Sequence, residues 1–362
     1  MRIAFLQRVT VFALFSSVLT GSANAANITL SPWVPQFEGI SLAQATIVSS
    51  ADSTTPNTSV AYIDRIDLTT PGIAFTTTPH SGSLDTTSQT TSQFLLSSGT
   101  QVAINANFFS NVSATPVPES LLGLAVSNGT VVSPQAFGSN DAAASLLLSH
   151  TNQATIFPAG STAVDLANVF NAVSGNQIVT NGVDTSSITP TGAPHDPFGL
   201  DPRSGVGVSQ NGQYLYLIAV DGRHPGYSVG LTTSDEASLM LDLGVYNGVN
   251  LDGGGSTALV ESDEKGGANL IDRPSGSFGV VERYDGNNLG VYADPIPAPE
   301  PASMFELAVG LVGLLGGSLS IAATELACRA APSTIPSRLN FLARVAITGI
   351  VEEPPVPFVL RQ

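Results

Sequence analysis

The sequence predicts an α+β fold, with a large, mostly antiparallel sheet system, a few flanking helices and a single main domain. Three observations predict it. Short apolar runs alternate with polar residues at period two, as half-buried strands do. Two of these runs turn back on themselves through Asn-Gly pairs, which tolerate the positive φ angles of a tight hairpin. Only one segment, beginning at Thr233, carries a well-marked helical signature.

In chain order, residues 60–68 (VAYIDRIDL) alternate as a strand, and residues 102–109 (VAINANFF) form another, bounded by Gly99 and Asn111. Residues 124–132 (LAVSNGTVV) read as a hairpin turning at Asn128-Gly129. A clearer hairpin joins residues 204–209 to 213–220 through Asn211-Gly212. Thr233 and Glu236 have the spacing of a capping box, and Ala237, Met240, Leu241 and Gly244 continue at helical intervals. Residues 249–252 form the next short strand, and Leu259 and Val260 belong to the one after the glycine turn. No internal repeat is found.

Composition limits what this fold can do. The chain has 362 residues, of which only 11% are charged, and acids outnumber bases 28 to 12 for a net charge of −16. A nucleic-acid reader needs clustered Lys and Arg to neutralise phosphates, so nucleic acid is excluded as a partner. Apolar content of 43% argues against wholesale disorder. The only cysteine, Cys328, excludes an internal disulfide framework and a thiolate zinc cage. No calcium-loop spacing occurs, and neither a metal nor a cofactor is expected.

The two ends read as targeting segments. Residues 1–25 combine Arg2 and Arg8, an apolar run from Val9 to Leu19 and a small-x-small site at Ala23-Asn24-Ala25, the order of a secretory signal peptide. Residues 307–323 are uncharged and at the lower length limit for a membrane span. They follow Pro299-Glu300-Pro301 and precede Arg329, an order that resembles the PEP-CTERM sorting signal of bacteria. That resemblance implies export, transient membrane contact through the C-terminal segment, cutting by exosortase-type machinery and release to the cell surface. The expected layout is a signal peptide at 1–25, a strand-rich N-terminal part of the body at 26–98, the catalytic domain at 99–294, the sorting segment at 295–330 and a Pro-rich tail without a fold of its own at 331–362.

The mature body holds six cations, Arg65, Arg203, Arg223, Lys265, Arg273 and Arg283, and five of them lie between residues 203 and 283. Guanidinium groups gathered in an acidic protein suit an anionic ligand, although pairing with neighbouring acids such as Asp201, Asp221 and Glu282 is the plainer use. Asp221-Gly222-Arg223 stands where a strand opens into a loop, a rigid place for a working side chain and also a common turn. Residues 250–257 (NLDGGGST) are the sharpest feature. Three consecutive glycines let the backbone approach a ligand and aim N–H groups at an anion. Asp252 stands at the entrance, Asn250 shares its face two residues earlier, and Ser256 and Thr257 add hydroxyls.

Taken together, residues 105–109 (NANFF), 203–207 (RSGVG), 221–223 (DGR), the capped helix, NLDGGGST, residues 269–275 (NLIDRPS) and Glu282-Arg283 resemble, in this order, the phosphodiester glycosidase family. Two details differ: Ala106 stands where the family commonly has glycine, and the spacer between Pro274 and Arg283 is longer. The resemblance implies hydrolysis of a sugar-1-phosphodiester between sugar C1 and the phosphate oxygen. Such a site needs carboxylates near the ring and donors around the phosphate. On this reading Asp252 and Asp221 are the carboxylates, and Arg203 and Arg223 clamp the phosphate. The N–H groups of Gly253, Gly254 and Gly255 and the hydroxyls of Ser256 and Thr257 complete the cradle. Asn105 and Asn250 hold sugar hydroxyls, and Arg283 is a further contact for the anion. His224 is left as a loop residue. The rival readings are a non-catalytic surface protein that binds exopolysaccharide, and a phosphodiesterase that cuts the P–O bond.

Overall fold

The computed structural model describes residues 27–49, 57–137, 142–160, 162–186, 199–263, 265–276 and 282–297. The expected signal peptide and all but the first residues of the sorting segment and tail lie outside them. No helix among the described residues is long and apolar enough to cross a membrane.

The body is built in layers. A 13-stranded sheet runs in the order Asn27–Leu30, Ile40–Ser49, Asn57–Asp67, Tyr214–Val220, Arg203–Ser209, Val245–Asn250, Asn171–Thr180, Ala144–Leu148 and Ala154–Phe157, with four short strands attached off this path. A five-stranded sheet orders Ala268–Leu270, Leu259–Ser262, Val102–Asn105, Asn288–Tyr292 and Ala74–Thr77. Adjoining strands in both sheets are antiparallel.

Strand alternation divides the core. On Tyr214–Val220, Leu215, Leu217 and Ala219 point between the two sheets, where they meet Ile104, Leu259, Leu289 and Val291 of the smaller sheet. Tyr216, Ile218 and Val220 point the other way, against Ala237, Leu239 and Met240 of the helix Thr233–Asp242. Phe94 and Leu95 of the helix Thr91–Ser98 cover Ala103 and Val260 on the outer face of the smaller sheet. The layers are therefore helix, large sheet, small sheet, helix. A sheet buried on both faces needs apolar residues at successive positions, which explains the run Leu215–Val220.

The expected strands and hairpins are present, with shifted ends. Asn128 and Gly129 have φ of 49° and 79°, the two-residue hairpin turn. At the second hairpin only Gly212 is left-handed, and its N–H bonds to Ser209 O at 3.0 Å. The strand beginning at Val102 ends at Asn105 rather than Phe109. The helix cap lies one residue earlier than expected: Thr232 caps, accepting from Asp235 N at 3.1 Å. Glu236 is instead fully buried against the sheet. The helix Thr91–Ser98, unmarked by apolar periodicity, is held by the capping box Thr90/Gln93 and ends at left-handed Gly99.

Candidate functional site

Antiparallel pairing brings several loops to one end of the two sheets. Val220 and Asn250, the last residues of their strands, lie beside Arg203 and Gly205 at the start of the strand between them. In the smaller sheet, the end of Val102–Asn105 lies beside Asn288, where the last strand begins. Asn105 ties these two ends together. Its Nδ2 donates to Asp252 O at 2.6 Å, and its Oδ1 accepts from Ser204 Oγ at 2.6 Å and from Ala258 N at 3.2 Å. Asn105 is wholly buried and its amide is engaged by the protein. It positions the Asp252 turn; the sugar contact expected of it is not what its surroundings provide.

Asp252 is the centre of this end. Its backbone N–H bonds to Ala106 O at 2.9 Å, and the residue is 5% exposed. Burial pushes its carboxyl up to about 6, against the opposing pull of the Ser256 hydroxyl, the Arg283 charge and the Gly253 N–H. Beside it stands Asp285, 2% exposed, whose carboxyl is held well above the usual carboxylate range by burial and by Asp252. The Ser256 hydroxyl lies next to both carboxyls, yet neither Asp285 oxygen makes a hydrogen bond of normal geometry. Arg283 Nη1 donates to Ser256 Oγ at 3.3 Å, and its Nε is buried without an acceptor among the described residues. Asp285 escaped the sequence reading. Its one signal was its place two residues after Arg283.

Close packing requires the three glycines: a Cβ at Gly253 would lie 2.7 Å from Pro202 O, and guanidinium groups lean on the other two. A Cβ at Gly255 would collide with the Arg283 guanidinium, and one at Gly254 would lie 3.2 Å from Arg223 Nη2. Gly254 also has a φ of 64°, which favours glycine. The turn itself presents fewer donors than expected. The Gly253 N–H serves Asp252, the Gly254 N–H bonds to Pro202 O at 2.9 Å, and the Ser256 N–H bonds to Gly253 O at 3.2 Å. Positive charge at this end therefore comes from the arginines that flank the turn. Thr257 Oγ1 and Asn250 Oδ1 are buried without partners among the described residues.

Arg223 sits at the rim with a φ of 60°, strained for a residue with a side chain. Its Nε and Nη2 donate to Asp201 Oδ1 at 3.0 and 2.8 Å, and its side chain is 48% exposed. Arg203 corrects the clamp expectation. It shares a face with Gly205, which packs on Glu236 and Met240, and its guanidinium is buried, donating from Nε to Leu231 O and from Nη2 to Gly199 O, both at 2.9 Å. These contacts brace the backbone at Gly199 and Leu231.

Asp221 is equally engaged. Its Oδ2 accepts from Tyr227 Oη and its Oδ1 from Arg273 N, both at 2.7 Å, while burial raises its carboxyl. It anchors the loop carrying Arg273. Nearby Asp272 accepts from Leu259 N at 2.8 Å through Oδ1, and its buried Oδ2 has no partner among the described residues. Burial, Asp221 and Glu282 raise its carboxyl well above its ordinary value. Among the described residues, no group of three or more His, Cys, Asp or Glu side chains is arranged to hold a metal.

An antiparallel two-sheet body that gathers buried carboxyls and flanking arginines at one end has the ingredients of acid–base hydrolysis on an anionic substrate. The chain belongs to the phosphodiester glycosidase family, whose profile matches residues 98–292. The fold is similar to the zebrafish N-acetylglucosamine-1-phosphodiester alpha-N-acetylglucosaminidase catalytic domain auto-inhibited by its pro-peptide. That likeness has 17% identity and a TM-score of 0.54, covering 74% of this chain and 88% of the other. It is also similar to a Burkholderia pseudomallei protein described as a candidate exported protein, at 14% identity and a TM-score of 0.54 over 78% of this chain and all of the other. A hypothetical protein from Synechocystis aligns at 15% identity and a TM-score of 0.50, covering 70% of this chain and 62% of that one. No curated protein matches the sequence.

Proposed function

We propose that the protein is an exported hydrolase that cleaves the sugar C1–O–phosphate bond of a sugar-1-phosphodiester, with Asp252 and Asp285 as its working carboxyl pair. The observation that carries this reading is the pair itself: two buried carboxyls side by side, sharing Ser256 and Arg283. Family membership and the likeness to the zebrafish glucosaminidase support the substrate class.

The environments of the two carboxyls divide their roles. Asp252 has a hydroxyl, an N–H and a guanidinium to stabilise its charged form, so it ionises first. Asp285 shares the hydroxyl and the guanidinium but lacks the N–H, is raised further by Asp252 and Glu282, and keeps its proton. In the reaction, Asp252 takes a proton from water as the water oxygen bonds to C1 and the C1–O bond breaks. Asp285 donates its proton to the departing phosphate oxygen, and Arg223 and Arg283 balance the phosphate charge. Asn105 and Asp221 hold the frame.

In this reading residues 1–25 are removed on export, residues 26–294 form the working body and the segment after Pro295 directs surface sorting. The described candidate exported protein of similar fold agrees with export. Hydrolysis in oxygen-18 water tests the bond cleaved. Label in the released sugar is the expected outcome; label in the phosphate would assign P–O cleavage instead.

A further inference from the structure

A groove of about 500 Å³ opens in the body, within the ~300–1,000 Å³ range of ligand sites. It runs along the edge strand Ala74–Thr77 and the end of the helix Thr91–Ser98. Its lining is chemically unusual for this acidic protein. No Asp, Glu, Lys, Arg or His lines it among the described residues. Hydroxyls and carboxamides dominate, with Tyr292 adding aromatic surface.

Several of these polar groups retain hydrogen-bonding capacity. Thr76 Oγ1 accepts from Asn128 Nδ2 at 3.2 Å, Thr78 Oγ1 from Asn288 N at 3.0 Å and Ser81 Oγ from Thr87 N at 2.9 Å. A hydroxyl that accepts still has its own O–H to donate. A wall of uncharged donors and acceptors with aromatic surface suits a neutral polyhydroxylated ligand. An anion would find no cation here, and an apolar ligand would leave the hydroxyls unpaired.

The groove also has a direction. Gln89 lines it and is paired with Asp285 through two backbone hydrogen bonds, Gln89 N to Asp285 O at 3.1 Å and Asp285 N to Gln89 O at 2.9 Å. Its near end therefore adjoins Asp285. We propose that this groove is a binding site for a neutral oligosaccharide, and that it holds the glycan part of a substrate whose phosphodiester lies at Asp252. The glycan site stands on the groove alone; only its service to the substrate rests on the proposed hydrolase activity.

The test titrates the full chain calorimetrically with neutral linear oligosaccharides of three to six glucose, galactose, mannose or N-acetylglucosamine units. At least one should bind, and Ser97→Trp, which fills the groove from an exposed helical position, should weaken that binding about tenfold or more. Gln89→Ala should weaken it as well, while Asp252→Asn should leave it unchanged. Binding that survives both groove substitutions, or no binding by any oligosaccharide, would overturn the proposal. Binding with no sugar-phosphodiester turnover would keep the glycan site and remove the hydrolase reading.

Discussion

Two of the buried carboxyl pairs among the described residues differ in their surroundings. Asp64 and Glu261 face each other between the sheets, in hydrogen-bonding contact, on strands that belong one to each sheet. Asp252 and Asp285 stand at the loop end, with Arg283 and Ser256 beside them. Burial raises both pairs, but the surroundings differ. No cation contributes to the Asp64–Glu261 pair, and neither Asp64 oxygen finds a proton donor among the described residues other than its partner carboxyl. Burial and mutual repulsion favour the protonated forms of that pair, which couples it to stability. The other has a guanidinium and a hydroxyl beside both members, with the Gly253 N–H favouring the charge on Asp252 alone and Glu282 opposing that on Asp285, and Asp285 is paired with a groove residue, Gln89. A buried carboxyl pair becomes a candidate for chemistry when its neighbours distinguish its two members.

The largest break in this comparison should come from Asp252→Asn. Turnover of a sugar-1-phosphodiester should fall by roughly 10²–10⁴, the usual contribution of a positioned acid or base, with the melting temperature maintained. Asp285→Asn should lower kcat by about 10² and remove the alkaline limb of the pH profile. It should leave the acid limb, set near pH 6 by Asp252 in the wild type, in place, because Asp285 is already uncharged where Asp252 ionises. Steady-state kinetics from pH 4 to 9 would read both effects. Arg223→Ala should raise KM about tenfold with a smaller change in kcat, since the group lies at the exposed rim.

The smallest effect on activity belongs to Glu261→Gln, which should leave turnover near wild type. Its effect is on stability. In the folded protein Glu261 is raised to about 7, above its unfolded value of about 4.3. The folded state therefore binds more protons between those values, and stability falls as pH rises through that window. Melting temperatures measured from pH 4 to 8 should fall for the wild type, and Glu261→Gln should flatten that part of the decline.

Much of this arrangement was legible in the residues. Alternation and the Asn-Gly pairs located the hairpins, and NLDGGGST marked the turn carrying Asp252. The glycines were read as room for a ligand; what the spacing could not show is that Pro202, Arg223 and Arg283 pack against them. Spacing alone could not separate Thr232/Asp235 from Thr233/Glu236 as the cap, because each position offers a threonine and an acid. Burial decides it, drawing Glu236 under the sheet. Arg203 was misread because its place on the same strand face as Gly205 and Gly207, turned towards the helix, depends on how the sheet is covered. Asp285 was missed because its proximity to Asp252 arises from the meeting of two sheets, a long-range contact that no local motif records.

The most direct measurement compares sugar release from an N-acetylglucosamine-1-phosphodiester and related sugar-1-phosphodiesters by the wild type, Asp252→Asn and Glu261→Gln, all shown to be folded. The account predicts release by the wild type and Glu261→Gln and its loss in Asp252→Asn. Unimpaired release by Asp252→Asn would contradict it.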